Sequence, residues 1–291
     1  MSQSALVALN GSREGDEQMT AEREETKYLF PAEHVDALVF ELNRRLPAHR
    51  FTGEGANHLP DPHHFVTTIY FDTPSRRQFR SAIADVEHNV KIRAKEYYDL
   101  HPSLAELATD PTEIVRYQPW VWFEVKRREG SRTLKQRFRL PKRDVPRIFS
   151  EGCISPGLSA DMILSDAELE HSAAGVLELV KCVEQVGEPL RADCLVNYRR
   201  LSWQDAQGFL RVTLDLGLSY YSPPPELWEL QHALVRAVLG PHRGSEPHAV
   251  LEIKRRAALP SWLTELLSRA DVRPVPFSKF VASAGAVHGY S

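Results

Sequence analysis

The chain has 291 residues, 42% hydrophobic and 26% charged, a balance ordinary for a globular protein with room for one large or two modest domains. Its 36 Lys and Arg against 39 Asp and Glu leave a net charge of −3, which disfavours a general nucleic-acid coat. No window of about 18 apolar residues reads as a membrane span. The three cysteines, Cys153, Cys182 and Cys194, fit neither a zinc site nor a disulfide framework, so the expected setting is a reducing cytoplasm.

Residues 1–21 are polar and read as a disordered tail without a signal core. A single domain is expected over residues 22–291. It opens on a strand at Arg23–Phe30, with Arg23, Glu25 and Lys27 on one parity. A helix over Ala32–Leu46 has Val35, Leu38, Val39, Leu42 and Leu46 as its apolar stripe. His49–His64 reads as a loop. Its His58, His63, His64 and Asp61 lack a regular element to hold four ligands in a tetrahedron. Phe65–Pro74 is a strand that stops at a turn, where Asp72 reads as a turn former.

Val90–Tyr98 alternates again, with Lys91, Arg93 and Lys95 on one face and Val90, Ile92 and Ala94 on the other. After a polar connection over residues 100–119, Trp122–Leu140 reads as two strands joined at Glu129-Gly130-Ser131. One face of this hairpin carries Glu124, Lys126, Arg128, Lys135, Arg137 and Arg139, and the other carries Phe123, Val125, Leu134, Phe138 and Leu140. Like charges about 5 Å apart at an effective dielectric near 20 repel by roughly 3 kcal/mol per pair. A face this cationic asks for water or an anion, and phosphate oxygens are the usual partners of Arg forks and Lys ammonium groups.

Helices are expected at Asp144–Phe149 and Asp166–Val186. A second hairpin follows. Its strand Cys194–Trp203 has Tyr198 and Arg200 on one parity, and its strand Phe209–Tyr221 has Arg211, Thr213 and Asp215 together, with Asp215 read as an ion-pair partner. Glu226–Leu239 reads as a helix, Ala249–Arg255 as a strand with Glu252 and Lys254 on one face, Pro260–Ala270 as a short helix, and Pro276–Val281 as a tail.

Roughly seven strands therefore pair a charged face with an apolar one. Two architectures fit: an open antiparallel sheet with helices on its apolar face, or a closed sheet whose charged face lines a hydrated interior. A lining of many cations and a few carboxylates suits a linear chain of phosphates with a divalent metal. There is no glycine-rich phosphate loop of the P-loop kind.

The motifs Arg23-x-x-x-Lys27-Tyr28, TTIYFDTP at Thr67–Pro74, KIR at Lys91–Arg93, FEVK at Phe123–Lys126 and LKQRF at Leu134–Phe138 appear in order. YRRLSW at Tyr198–Trp203, LRVTLD at Leu210–Asp215, LEIK at Leu251–Lys254 and FSKF at Phe277–Phe280 follow. In order and spacing the chain resembles the VTC-type polyphosphate polymerase domain of the triphosphate tunnel metalloenzymes, over about residues 22–283. The resemblance implies an α+β fold: a closed antiparallel barrel of about eight strands, with helices packed outside. It implies polyphosphate synthesis by transfer of the ATP γ-phosphoryl group to a growing chain, with Mn²⁺ (or Mg²⁺). The phosphates would contact Lys27, Lys91, Arg93, Lys126, Lys135, Arg137, Tyr198, Arg200, Arg211 and Lys279. Glu252 would hold the metal, and Ser278 would help Lys279. Glu124 is a second candidate for the metal or for orienting Lys126, and Lys254 is a further phosphate contact.

Hydrolytic relatives carry Glu-x-Glu-x-Lys on the first strand, whereas Arg23 stands at the first position here, a departure toward the polymerase branch. Lys91 stands where the eukaryotic polymerase typically has Arg. ATP and inorganic polyphosphate are the expected partners. Any work at a membrane would need a membrane-protein partner. A tripolyphosphatase and a non-catalytic polyphosphate-binding module are the alternatives.

Overall fold

Among the described residues nine strands form an antiparallel sheet: β1 (Glu24–Phe30), β2 (His63–Asp72), β3 (His88–Tyr98), β4 (Trp120–Glu129), β5 (Arg132–Pro141), β6 (Arg191–Gln204), β7 (Leu210–Tyr221), β8 (His242–Ser245) and β9 (Ala249–Arg255). The helices are α1 (Val35–Arg45), α2 (Arg77–Ala84), α3 (Ala160–Leu164), α4 (Ala173–Val186), α5 (Ser261–Arg269) and α6 (Lys279–His288). The computed structural model describes residues 24–49, 63–85, 87–98, 120–130, 132–164, 173–228 and 233–290. The expected tail, the 100–119 connection, His58, Asp61 and the first turns of the helix expected from Asp166 lie outside them.

The strand order is β1-β9-β7-β6-β2-β3-β4-β5, with β8 added beside β7. The α+β class and the antiparallel sheet are as expected, but the closed barrel is not. Among the described residues β1 and β5 stand at opposite ends of the order and do not pair. What replaces closure is curvature, described with the site below.

The apolar parities face outward and are covered in two patches. Ile69, Phe71, Ile92, Phe123, Val125 and Phe138 pack against α4 through Val176, Leu179 and Val183. Trp203, Leu210, Val212, Leu214, Leu251 and Ile253 pack against Leu38 and Leu42 of α1 and Leu263 and Leu267 of α5. Helix α4 comes so close to β5 that a Cβ on Gly175 would sit 2.6 Å from the backbone carbon and oxygen of Arg137, which leaves that position to glycine.

The third cluster is on the concave side. Phe280 and Ala284 of α6, with Phe79 and Ala82 of α2, pack on Val66, Tyr70, Val196, Tyr198, Leu218, Tyr220 and Val250. Gly217, at φ +60°, sits where the β6–β7 register shifts. Before it Thr213 and Asp215 alternate with the outward Leu214 and Leu216; after it Leu218 and Tyr220 turn to the concave side.

Four expected elements come out differently. Asp72 is more than a turn former: its buried carboxylate accepts the backbone N–H groups of Thr73 (2.7 Å), Gln78 (2.8 Å) and Phe79 (2.9 Å), and so caps α2, a helix the periodicity did not announce. Residues 142–148 form a 3₁₀ helix rather than an α-helix at Asp144–Phe149. The helix expected at Glu226–Leu239 is absent among the described residues, apart from one 3₁₀ turn at Arg236–Val238. There the backbone is claimed sideways: Leu234 donates its N–H to Glu96 Oε1 (3.2 Å), and its carbonyl accepts from Thr67 Oγ1. Finally, the expected tail Pro276–Val281 runs into α6, with Ser278 as its N-cap accepting from the Val281 N–H at 3.4 Å.

Candidate functional site

Two lysines reveal the curvature. Lys27 of β1 donates to the carbonyl of Phe277 at 3.2 Å, and Lys91 of β3 donates to Ser278 Oγ at 3.2 Å. In the strand order β1 and β3 are five places apart, about 24 Å in a flat sheet. Their side chains nevertheless reach adjacent residues, so the sheet curls around the N-terminus of α6 and its charged faces converge.

The converging groups form three ion-paired knots. In the first, the fully buried Asp215 of β7 accepts from Arg200 of β6 (2.5 and 2.7 Å) and from Lys279 of α6 (2.6 Å). The Lys279 ammonium also lies 5.1 Å from the Tyr198 ring centre. Burial alone would raise Asp215, yet Arg200 and Lys279 hold it below the usual carboxylate range.

In the second, Lys254 bridges Glu252 of β9 and Glu25 of β1, touching Glu252 closely and Glu25 at 3.7 Å, while Lys27 reaches Glu25 at 3.3 Å. Burial works against ionisation of Glu252, but Lys254, Lys27, Arg200 and Lys279 hold it well below its ordinary value. Glu25 is opposed by burial and by Glu252, and lowered by Lys254, Lys126 and Lys27. That Lys126 of β4 acts on Glu25 of β1 again shows the two halves facing each other.

The third knot is Glu124 of β4, which accepts from Arg93 (Nε at 2.8 Å, with Nη2 also in contact) and stands 3.9 Å from Lys95. Its neighbours hold it well below the carboxylate range despite burial. Glu124 thus pairs with both Arg93 and Lys95.

Cations are left over. Lys126 and Lys135 face one another in the β4–β5 register, and neither makes an ion pair or hydrogen bond among the described residues. Lys91 is desolvated and further repelled by Lys27, Lys126, Arg93 and Arg128, which brings its ammonium down to about 7.

Most of the residues singled out in the sequence meet here: Lys27, Lys91, Arg93, Lys126, Tyr198, Arg200, Glu252, Lys254, Ser278 and Lys279, with Glu124 as anchor. Arg211 lies opposite Lys254 in the β7–β9 register. Lys135 and Arg137 lie on the exposed strand β5, at the rim. Three participants were not singled out as ligands: Lys95, Asp215 and Glu25. Their parities in the sequence already placed them on the charged face, but only the packing shows which carboxylate serves which cation.

Among the described residues no group of three or more His, Cys, Asp or Glu is placed to cage a metal. A hard divalent cation that takes phosphate oxygens needs only one or two carboxylates from the protein. Glu252 and Glu25 fit that requirement, because one ammonium, Lys254, already bridges them.

The fold and site define a curled antiparallel sheet with a cationic, carboxylate-dotted concave face. The profile of the VTC domain family matches residues 22–288, and the chain belongs to that family. No curated protein matches the sequence. A structure from Hippeastrum, of a proposed adenylyl cyclase described as having a dominant triphosphatase activity, is similar over 92% of this chain and 96% of its own at 12% identity and TM-score 0.46. A proposed adenylate cyclase from Bacillus halodurans covers 90% of this chain and 97% of its own, at 13% identity and TM-score 0.44. One from Vibrio parahaemolyticus covers 85% and 83%, at 10% and 0.34. No described helix is long and apolar enough to cross a membrane.

Proposed function

We propose that the concave site binds the triphosphate of ATP with Mn²⁺ or Mg²⁺ and transfers the γ-phosphoryl group to a polyphosphate chain. The observation that carries the reading is the meeting of Lys27, Lys91, Lys126, Arg200 and Lys279 around two carboxylates that share one cation. Membership of the VTC domain family supports the polymerase form of that chemistry.

Phosphoryl transfer asks the protein for alignment and charge compensation more than for covalent chemistry. Lys126 and Lys135, which form no direct salt bridge among the described residues, are the cations readiest to take phosphate oxygens. Arg93, Arg200 and Lys279 are held in place by Glu124 and Asp215 before substrate arrives, so little reorganisation is needed. Lys91 and Ser278 stand together at the N-terminus of α6, where the helix dipole also favours an anion. Glu252 and Glu25 would hold the metal, which when bound neutralises phosphate charge.

A second reading, hydrolysis of tripolyphosphate or nucleoside triphosphate, is favoured by one observation: Glu25 and Lys27, on alternate positions of β1, both enter the site. The test is incubation with γ-labelled ATP and Mn²⁺, resolving product length on a gel. Long labelled polymer supports synthesis. Release of only ADP and orthophosphate sinks it in favour of hydrolysis, and tight polyphosphate binding without turnover leaves a binding module.

A further inference from the structure

Above Lys126 and Glu124 on the same face of β4 stand Trp122 and Trp120, both partly exposed. The opposite strand supplies a guanidinium to each. Arg137, paired across from Glu124, leans diagonally so that its carbon lies 4.9 Å from the Trp122 ring centre; Arg139, across from Trp122, leans the same way to 4.4 Å from Trp120. The result is an edge of two indoles, each faced by one guanidinium from the neighbouring strand.

This edge continues the phosphate site in the direction away from α6. Lys126 is in register with Lys91, whose ammonium reaches the N-terminus of α6, whereas Trp122 is in register with Lys95, four residues further along. Four residues of strand span about 13 Å, comparable to the length of a triphosphate and sugar. Of the other tryptophans, Trp203 is fully buried, Trp228 stacks among Phe71, Phe123 and Phe149, and Trp262, under Arg45 at 5.2 Å, packs beside the outer cluster of α1 and α5. A chain of inorganic phosphates gains nothing from partly exposed indoles. A nucleobase does, since every base has a flat face that stacks on aromatic rings and Arg planes.

We propose that Trp120, Trp122, Arg137 and Arg139 form a nucleobase-stacking platform beside the phosphate site and are the residues that set its preference for the nucleotide over inorganic triphosphate. The proposal rests on the concave face binding a triphosphate at all.

The experiment compares calorimetric affinities for two non-hydrolysable ligands, the β,γ-imido analogue of ATP and inorganic diimidotriphosphate, each with Mn²⁺. The wild-type protein should bind the nucleotide about tenfold more tightly, or about 1.4 kcal/mol, at the low end of a stacked base. The double variant Trp120→Leu, Trp122→Leu should lose that preference while keeping its inorganic affinity within about twofold. Equal affinities in the wild type overturn the platform and leave the phosphate site standing. Failure of the wild type to bind either ligand overturns the phosphate site and the platform with it. If the Leu pair loses both ligands, the Phe pair decides: a surviving nucleotide preference supports stacking, and its loss while inorganic binding persists refutes it.

Discussion

Lys91 Nζ lies 3.2 Å from Ser278 Oγ, joining the middle of the sheet to the cap of the C-terminal helix in a region already crowded with positive charge. Burial and the repulsion of Lys27, Lys126, Arg93 and Arg128 bring Lys91 down to about 7. In the unfolded chain a lysine titrates near 10.4. The folded state therefore carries a penalty from this group at pH 7 and below, and the penalty is relieved as pH rises from about 7 toward the unfolded value. A bound anion reverses the balance. Tripolyphosphate binding at pH 8 should take up protons, visible as a dependence of the calorimetric heat on the buffer's ionisation enthalpy, and affinity should weaken as pH rises above about 7. In Lys91→Met this proton uptake should shrink.

Removing either kind of charge from the site should abolish turnover. Lys126→Ala and Glu252→Ala are each expected to lower product formation by about 10²-fold or more, the usual cost of losing one preorganised charge near a transition state. Chelation by EDTA should do the same to the wild-type protein and be reversed by added Mn²⁺. A Glu252→Ala enzyme as active as wild type would remove this carboxylate from the chemistry.

Asp215 serves two cations at once, Arg200 and Lys279, and is fully buried. Asp215→Asn leaves both charges poorly compensated, and the expected loss of stability is about 3–5 kcal/mol. Added tripolyphosphate should then raise the melting temperature of the variant by more than that of the wild type, since an external anion does the work of the missing carboxylate. Equal shifts in the two proteins would argue that phosphate does not reach this knot.

On the outer face, Lys142 meets Glu96 at 2.7 Å, and both are buried. Even beside that ammonium, burial pushes Glu96 up to about 7. Lys142→Met strands the carboxyl and should cost about 3–5 kcal/mol in urea unfolding at pH 8, with part of the loss recovered below pH 6, where Glu96 is protonated. Changing both residues to Met and Leu should restore most of it.

The charged parities were legible in the sequence because period two is a local property. Glu124, Lys126, Arg200 and Glu252 could be assigned to a face from their neighbours alone. Strand order, curvature and the absence of closure are decided by partners far apart in the chain, and alternation says nothing about which edge meets which. Local pattern also failed where side chains compete for the backbone. Glu226–Leu239 reads as a helix, but Glu96 and Thr67 bond the Leu234 amide and carbonyl and hold the backbone there out of a helix. The FSKF stretch was recognised through its family resemblance. Its role as a helix cap depends on Ser278 accepting from Val281 and from the distant Lys91, which no local pattern encodes.

Helix α6 is tied to the sheet at both ends: Lys279 to Asp215 at one, and Cys194 to Ser283 (3.0 Å) and His288 to Asp193 (2.9 Å) at the other. A variant lacking residues 277–288 would keep its basic strands but lose the groups on which Lys27, Lys91 and Asp215 converge. Repulsion among those strands would then lack its counterweight, so the helix acts as a brace for the curl as much as a wall of the site.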